Sequence, residues 1–241
     1  MKNKIYFISD VHLGLQSKNQ ERIKENLLEK LFKMIQEDGS RLVINGDLFD
    51  YWFEYRNVYQ KGFFRTLTAM QNLTESGVRV DYVIGNHDFY HRDFFENEIG
   101  VNLIQNSLVL TFGDKKFFIA HGDGYVQNDY GYLILKSVLR NKFFQFLYSF
   151  IHPDFGVGLA KNTSKQSRDY TTKKEYGETD GLFKSASALI DNGYDFVVFG
   201  HLHKRQFLNH NKGTYVNLGT WLEKPCYGVF DGNEFKIIDW H

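Results

Sequence analysis

The chain of 241 residues carries one cysteine, Cys226, so no disulfide can form within it. A lone thiol fits a reducing compartment, and with no activating neighbour it reads as a buried, inert side chain. Prolines number only two, and no proline-rich or low-complexity linker divides the chain. Neither sign of charge dominates: Lys+Arg and Asp+Glu are 29 each. No net field therefore calls for a nucleic-acid partner. The longest uncharged aromatic stretch, 143–153, is far too short to span a bilayer. Residues 1–4 run straight into a predicted strand, so no signal peptide is expected. The expectation is one soluble, cytoplasmic domain covering residues 1–241.

Aromatics, by contrast, are abundant, with 23 Phe and 15 Tyr. Short apolar runs at 5–8, 42–44, 80–84 and 196–199 read as buried strands. Across 21–36, Ile23, Leu27, Leu28, Leu31, Phe32 and Ile35 recur at helical spacing, and Gly39 closes that helix. Phe63, Phe64, Leu67, Met70 and Leu73 mark a second helix, stopped near Gly77. Runs at 108–112 and 116–120 flank a hairpin turn, and further short strands are predicted at 213–217, 227–230 and 235–238. Strands alternating with helices make an α/β layout, whose ligand sites lie outside the carboxyl ends of the strands. Between His121 and Phe196 the character changes. Leu133, Leu139, Phe143, Phe146 and Phe150 predict one or two very apolar helices, and a basic stretch follows at 162–174. A helix at 181–191 leads back to the sheet, so 125–180 reads as a helical cap inserted into the domain.

Five polar stretches each follow a predicted strand. They are Asp10-Val11-His12, Gly46-Asp47-Leu48-Phe49-Asp50, Gly85-Asn86-His87-Asp88, His121-Gly122-Asp123 and Gly200-His201-Leu202-His203. Singly, an Asp-x-His or a Gly-Asp is common in turns. Together they hold five of the nine histidines, whereas His91, His152, His210 and His241 lack such context and read as surface or structural. On a strand end, residues two apart face the same way, so Asp10 with His12, and His201 with His203, are expected to point together. Asp47 could bridge two ions through its two carboxylate oxygens, Asn86 offers a neutral oxygen, and His121 a further nitrogen. A set of carboxylate, amide and imidazole without thiolate argues against structural zinc. It suits Mn²⁺, with Fe²⁺ and Zn²⁺ as alternatives, in a hydrolytic pair about 3.5–4 Å apart.

In this order the five stretches resemble the calcineurin-like metallophosphoesterase superfamily, over residues 5 to 220. The resemblance implies a four-layer αββα sandwich with a dinuclear site. It implies that Asp10, His12, Asp47 and His203 hold one metal, and Asp47, Asn86, His121 and His201 the other. It makes His87 the general acid beside the departing oxygen, with Asp50 and Asp88 orienting the ligands.

Finer details look like one branch of that superfamily, which hydrolyses UDP-2,3-diacylglucosamine in lipid A synthesis. Gly46-Asp47-Leu48-Phe49-Asp50-Tyr51-Trp52, Asp88-Phe89 and His121-Gly122-Asp123 followed by Asp129 are similar to that branch. By this resemblance the substrate is a nucleotide-linked glycolipid, and Asn86, His87, Asp129, Asn162, Ser164, Ser167, Arg168 and His201 are candidate contacts to it. The apolar block 133–151 could groove acyl chains, dip into the cytoplasmic face of a membrane, or form a buried cap core. Arg140 and Lys142 beside it could meet anionic headgroups. One residue departs from the branch: His87 stands where it usually has Arg. A phosphate leaving group hardly needs protonation, whereas an alkoxide does, so another phosphodiester, nucleotide or lipid phosphate stays open as substrate.

Overall fold

The computed structural model describes residues 3–126, 136–156, 158 and 181–241. Its first sheet holds β1 (Lys4–Ile8), β2 (Gly39–Asn45), β3 (Arg79–Val83) and β4 (Asn102–Ile104) in parallel. Against β1 lies antiparallel β10 (Cys226–Phe230), followed by β11 (Phe235–Asp239), giving the order β11-β10-β1-β2-β3-β4. The second sheet runs β5-β6-β7-β9-β8, from β5 (Ser107–Phe112), β6 (Lys115–Ala120), β7 (Phe196–Phe199), β8 (Gln206–His210) and β9 (Gly213–Asn217).

Helices α1 (Lys18–Asp38) and α2 (Phe64–Glu75) cover the outer face of the first sheet. Leu28, Leu31, Phe32, Leu67, Met70 and Leu73 pack there on Tyr6, Ile8, Leu42, Ile44, Val80 and Tyr82. Between the sheets, Ile5, Phe7, Val43 and Val83 meet Phe117, Ile119, Val198 and Val216. Stacked and tilted rings of Phe7, Phe117, Phe196, Phe230 and Phe235 fill this middle layer, which accounts for part of the aromatic excess. A later helix, Phe183–Asp191, packs Ala186 and Ile190 with Leu182 on the outer face of the second sheet. The layers are therefore α, β, β, α, as expected.

Two elements escape the periodicity. β4 has three residues, too few to show a period, and β8 is an edge strand whose Gln-Phe-Leu-Asn-His sequence carries little hydrophobic signal. The helical stripe of α1 also differs from expectation. Ile23 is 59% exposed and Lys24 is buried in its place, because the inward stripe runs through 24, 28, 31 and 35. Gly39 ends α1 without a left-handed turn. It is extended and starts β2, and a Cβ there would press on the Ile35 carbonyl.

Within the described part of 125–180, α3 (Lys142–Tyr148) is capped by Asn141, whose side-chain oxygen accepts the Phe143 N–H at 2.9 Å. It buries none of its residues: Phe143, Phe144, Phe146 and Leu147 are exposed, as is Phe150 just after it. Its inner contact is Tyr148, packed on Phe53 and meeting the Tyr51 hydroxyl at 3.1 Å. Arg140 turns back onto the domain. Its guanidinium donates to the carbonyls of Gln105, Ile84 and Gly85 and lies 3.7 Å from Asp123.

Candidate metal centre

β1, β2, β3, β6 and β7 all end at the same edge of the two facing sheets, and the five polar stretches leave from there. The way they present their side chains differs from the alternation expected. β1 stops at Ile8 and β7 at Phe199, so Asp10, His12, His201 and His203 lie in loops, not on strands. Asp10, His12, Asp47, His201 and His203 have φ of 51°, 49°, 52°, 70° and 56°. Left-handed backbone at a non-glycine residue costs about 1–2 kcal/mol. Five such residues in one place mark a site whose geometry the surrounding fold enforces. Glycines make room for it. A Cβ on Gly46 would collide with the His121 ring, and one on Gly85 with the Asp47 carboxylate.

Two groups of donor atoms result. In the first, His12 Nε2 and His203 Nε2 are 2.9 Å apart, with Asp10 Oδ1 at 3.4 Å from His203 and 3.9 Å from His12. In the second, His121 Nε2 and His201 Nδ1 each lie 2.9 Å from Asn86 Oδ1. Asp47 Oδ2 faces both groups, at 3.8 Å from His12 Nε2 and 3.3 Å from His121 Nε2. The two Asp47 oxygens play different parts. Oδ1 accepts the His87 N–H at 2.9 Å, leaving Oδ2 alone between the groups.

These residues fit divalent cations. His121 Nδ1 lies 3.0 Å from the Asn45 carbonyl, which can only accept, so Nδ1 carries the hydrogen and Nε2 turns its lone pair to the centre. There it faces the oxygens of Asn86 and Asp47, and an array of acceptors needs positive charge among them. Electrostatics express the same need. Burial alone would lower the His121 pKa, but the Asp47 carboxylate overrides it and the imidazole is pushed up to about 10. Burial would raise Asp47, yet the His121 and His87 imidazoles hold it well below the usual carboxylate range. His201 goes the other way, to about 4, under burial and repulsion from His121. Asp10, His12 and Asp47 recur among overlapping triads of potential ligands, whose other members are His203, His87 and His121.

Supporting residues tie the stretches together. Asp50 Oδ1 lies 3.5 Å from His12 Nδ1 and 3.7 Å from His87 Nδ1, and its carbonyl accepts from His87 Nδ1 at 3.1 Å. That bond turns His87 Nε2 to the centre, 3.9 Å from Asp47 Oδ2. Asp88 accepts backbone N–H groups of Gly85 and Leu48 and the hydroxyl of Tyr82. Sequence reasoning does not find Tyr82, since inside a strand it reads as core. Asp10, His12, Asp47, Asp50, Asn86, His87, Asp88, His121, His201 and His203 are thus brought together. Asp129, Asn162, Ser164, Ser167 and Arg168 lie outside the described residues.

The calcineurin-like phosphoesterase family model matches residues 3–205. The chain is 32% identical to the UDP-2,3-diacylglucosamine hydrolase of Porphyromonas gingivalis, over 98% of this chain and 97% of that one. It is 27% identical to the enzyme of the same name from Haemophilus influenzae, over 97% and 98%. Among solved structures, an archaeal phosphodiesterase shares the fold at 16% identity and a TM-score of 0.52, covering 98% of this chain and 99% of its own. With nearly its whole length aligned to such relatives and its donor groups gathered at one sheet edge, the chain belongs to the calcineurin-like phosphoesterase family and is a hydrolase.

Proposed function

We propose that the protein is a two-metal hydrolase that cleaves UDP-2,3-diacylglucosamine into UMP and 2,3-diacylglucosamine 1-phosphate, a step of lipid A synthesis. The observation that carries this reading is the single Asp47 oxygen set between two donor groups, in a chain alignable end to end with hydrolases of that name. Asp10, His12, Asp47 and His203 would hold one ion, and Asp47, Asn86, His121 and His201 the other, with Mn²⁺ the best match to the donors and Fe²⁺ or Zn²⁺ alternatives. When bound, such a pair supplies Lewis-acid charge against the phosphoryl oxygens and a more acidic water at neutral pH.

The chain's own groups do the rest. Asp50 fixes the His87 ring through Nδ1, so that Nε2 can hold a proton towards the departing oxygen. Asp88 holds the Asp47 loop by its backbone. The attacked atom is the α-phosphorus: the Pα–O bond to the β-phosphate breaks, and water supplies the new oxygen of UMP. Asn86, His87 and His201 line the reacting end, while Asp129, Asn162, Ser164, Ser167 and Arg168 are proposed to contact the diphosphate and sugar. Residues 125–180 form the cap in this reading. The outward Phe143, Phe146 and Phe150 suit acyl chains or the cytoplasmic face of the inner membrane. No helix among the described residues is long and apolar enough to cross it.

His87 supports a second reading, a phosphodiester or other phosphoester with an alkoxide leaving group, because a positioned proton donor gains most there. Turnover of UDP-2,3-diacylglucosamine and bis(p-nitrophenyl) phosphate with added Mn²⁺ separates the two. UMP release is expected. Hydrolysis of the nitrophenyl diester with no UMP from the lipid would reject the first reading in favour of the second.

A further inference from the structure

Helix α1 carries a lysine where its core stripe calls for an apolar residue. Positions 24, 28, 31 and 35 share one side of the helix; Leu28, Leu31 and Ile35 are fully buried, and Lys24 is only 4% exposed. A buried ammonium is costly unless it is paired and its hydrogens are all used. Here three partners offset that cost. Lys24 Nζ donates to the carbonyls of Val11 at 3.1 Å and His12 at 2.8 Å, and lies 3.1 Å from Glu21 Oε1. Glu21 in turn accepts the N–H groups of Gly14 at 2.9 Å and Gln16 at 2.7 Å. One turn of α1 therefore grips loop 11–16 by two carbonyls and two amides.

That loop begins with a pair of donor residues in unfavourable backbone conformations. Asp10 and His12 are both left-handed, and the opposite side of the loop is pinned to the next stretch by His12 N–H to the Asp47 carbonyl at 3.0 Å. The peptide that Lys24 holds is the one from which the His12 ring projects, to within 2.9 Å of His203. We propose that Lys24, braced by Glu21, is a positioning residue for the metal centre. It fixes His12 so that the group Asp10, His12, Asp47 and His203 is set before an ion arrives. The inference rests on the two-ion reading above.

Lys24 acting only through its charge would repel a nearby dication, so its removal would tighten binding. A positioning role predicts the opposite sign. Mn²⁺ alone is titrated calorimetrically into metal-free wild type and Lys24→Met, whose side chain refills the space without a charge. Expected are two ions in the wild type, with one of them weakened about 10–100-fold in the variant, the range for groups that orient metal ligands. The metal-free variant should melt a few degrees lower, because the Val11 and His12 carbonyls and Glu21 lose their buried partner, but that loss by itself does not choose between the two ions. His203→Ala identifies the weakened ion, because adding Lys24→Met to it should then cost nothing further. Unchanged or tighter binding in Lys24→Met overturns the proposal, as does equal weakening of both ions. A wild type that takes up a single ion overturns the two-ion reading itself, and the inference with it.

Discussion

Asp88 Oδ2 accepts the backbone N–H of Leu48 at 2.8 Å, so the third polar stretch holds the second in place. The same carboxylate accepts from Gly85 N at 2.9 Å and Asp47 N at 3.3 Å, and from the Tyr82 hydroxyl. All of these groups are buried. Asp88→Ala strands several donors at once, each worth about 1–3 kcal/mol when left unpaired. The expected loss is about 3 kcal/mol or more in urea unfolding, with Mn²⁺ affinity falling as the Asp47 turn loosens. A loss below about 1 kcal/mol would mean that water replaces the carboxylate, which the full burial of Asp88 argues against.

His87 separates binding from proton transfer. Its Nδ1 is committed to the Asp50 carbonyl, and its ring is stacked edge-on against His12 at 4.9 Å, so substitution should leave the metal groups in place. His87→Gln is expected to lower kcat by about 10²–10⁴-fold on a diester with an alkoxide leaving group. The effect should shrink towards unity when a phosphate or nitrophenolate departs, since neither needs a proton. Equal losses across all leaving groups would assign His87 to binding, and calorimetry with Mn²⁺ would then show which ion it disturbs.

Donor types announce themselves in the sequence because chemistry rides on residue identity: Asp10, His12, Asp47, Asn86, His121, His201 and His203 are all legible from residue order alone. Their presentation is not. Strand alternation predicts side chains on one face, yet five of these donors, Asp10, His12, Asp47, His201 and His203, stand on left-handed loop residues, a backbone state that residue type does not reveal outside glycine. Lys24 escapes for a related reason. Hydrophobic periodicity counts apolar residues, and a lysine on the buried stripe registers as a gap, although its spacing to Leu28, Leu31 and Ile35 carries the signal. The place of Arg140 is hidden because its partners, Gly85, Gln105 and Asp123, come from three distant segments.

The exposed phenylalanines of α3 and of the turn that follows it offer a test of the lipid reading. Phe143, Phe146 and Phe150 are 62, 57 and 72% exposed, an apolar cluster without cover among the described residues. Replacing all three with Ser removes little packing, so Tm should change by no more than a few degrees. Hydrolysis of bis(p-nitrophenyl) phosphate should be unaffected. With UDP-2,3-diacylglucosamine in mixed micelles, KM should rise by about tenfold or more, corresponding to roughly 1.4 kcal/mol of lost apolar contact. An unchanged KM would show that the acyl chains bind elsewhere.

The last prediction concerns a histidine outside the centre. His91 packs its ring against Trp52, Tyr82 and Phe95, with centroids at 6.3, 5.2 and 4.9 Å, and both ring nitrogens are buried. Burial pushes its pKa down from 6.5 to about 3. Between those values the unfolded chain binds a proton that the folded chain excludes, so the contribution is fully present above pH 6.5 and is lost as pH falls below it. The expected slope is about 1.4 kcal/mol per pH unit, stopping near pH 3, where the folded state also protonates. Urea unfolding of metal-free protein at about pH 7, 6 and 5 measures it without the proton linkage of metal binding. His91→Phe, which keeps the ring contacts and removes the titrating group, should flatten the curve over that window. If wild type and His91→Phe lose stability in parallel, the imidazole is reached by water in the folded state, and the acid sensitivity belongs to the buried carboxylates instead.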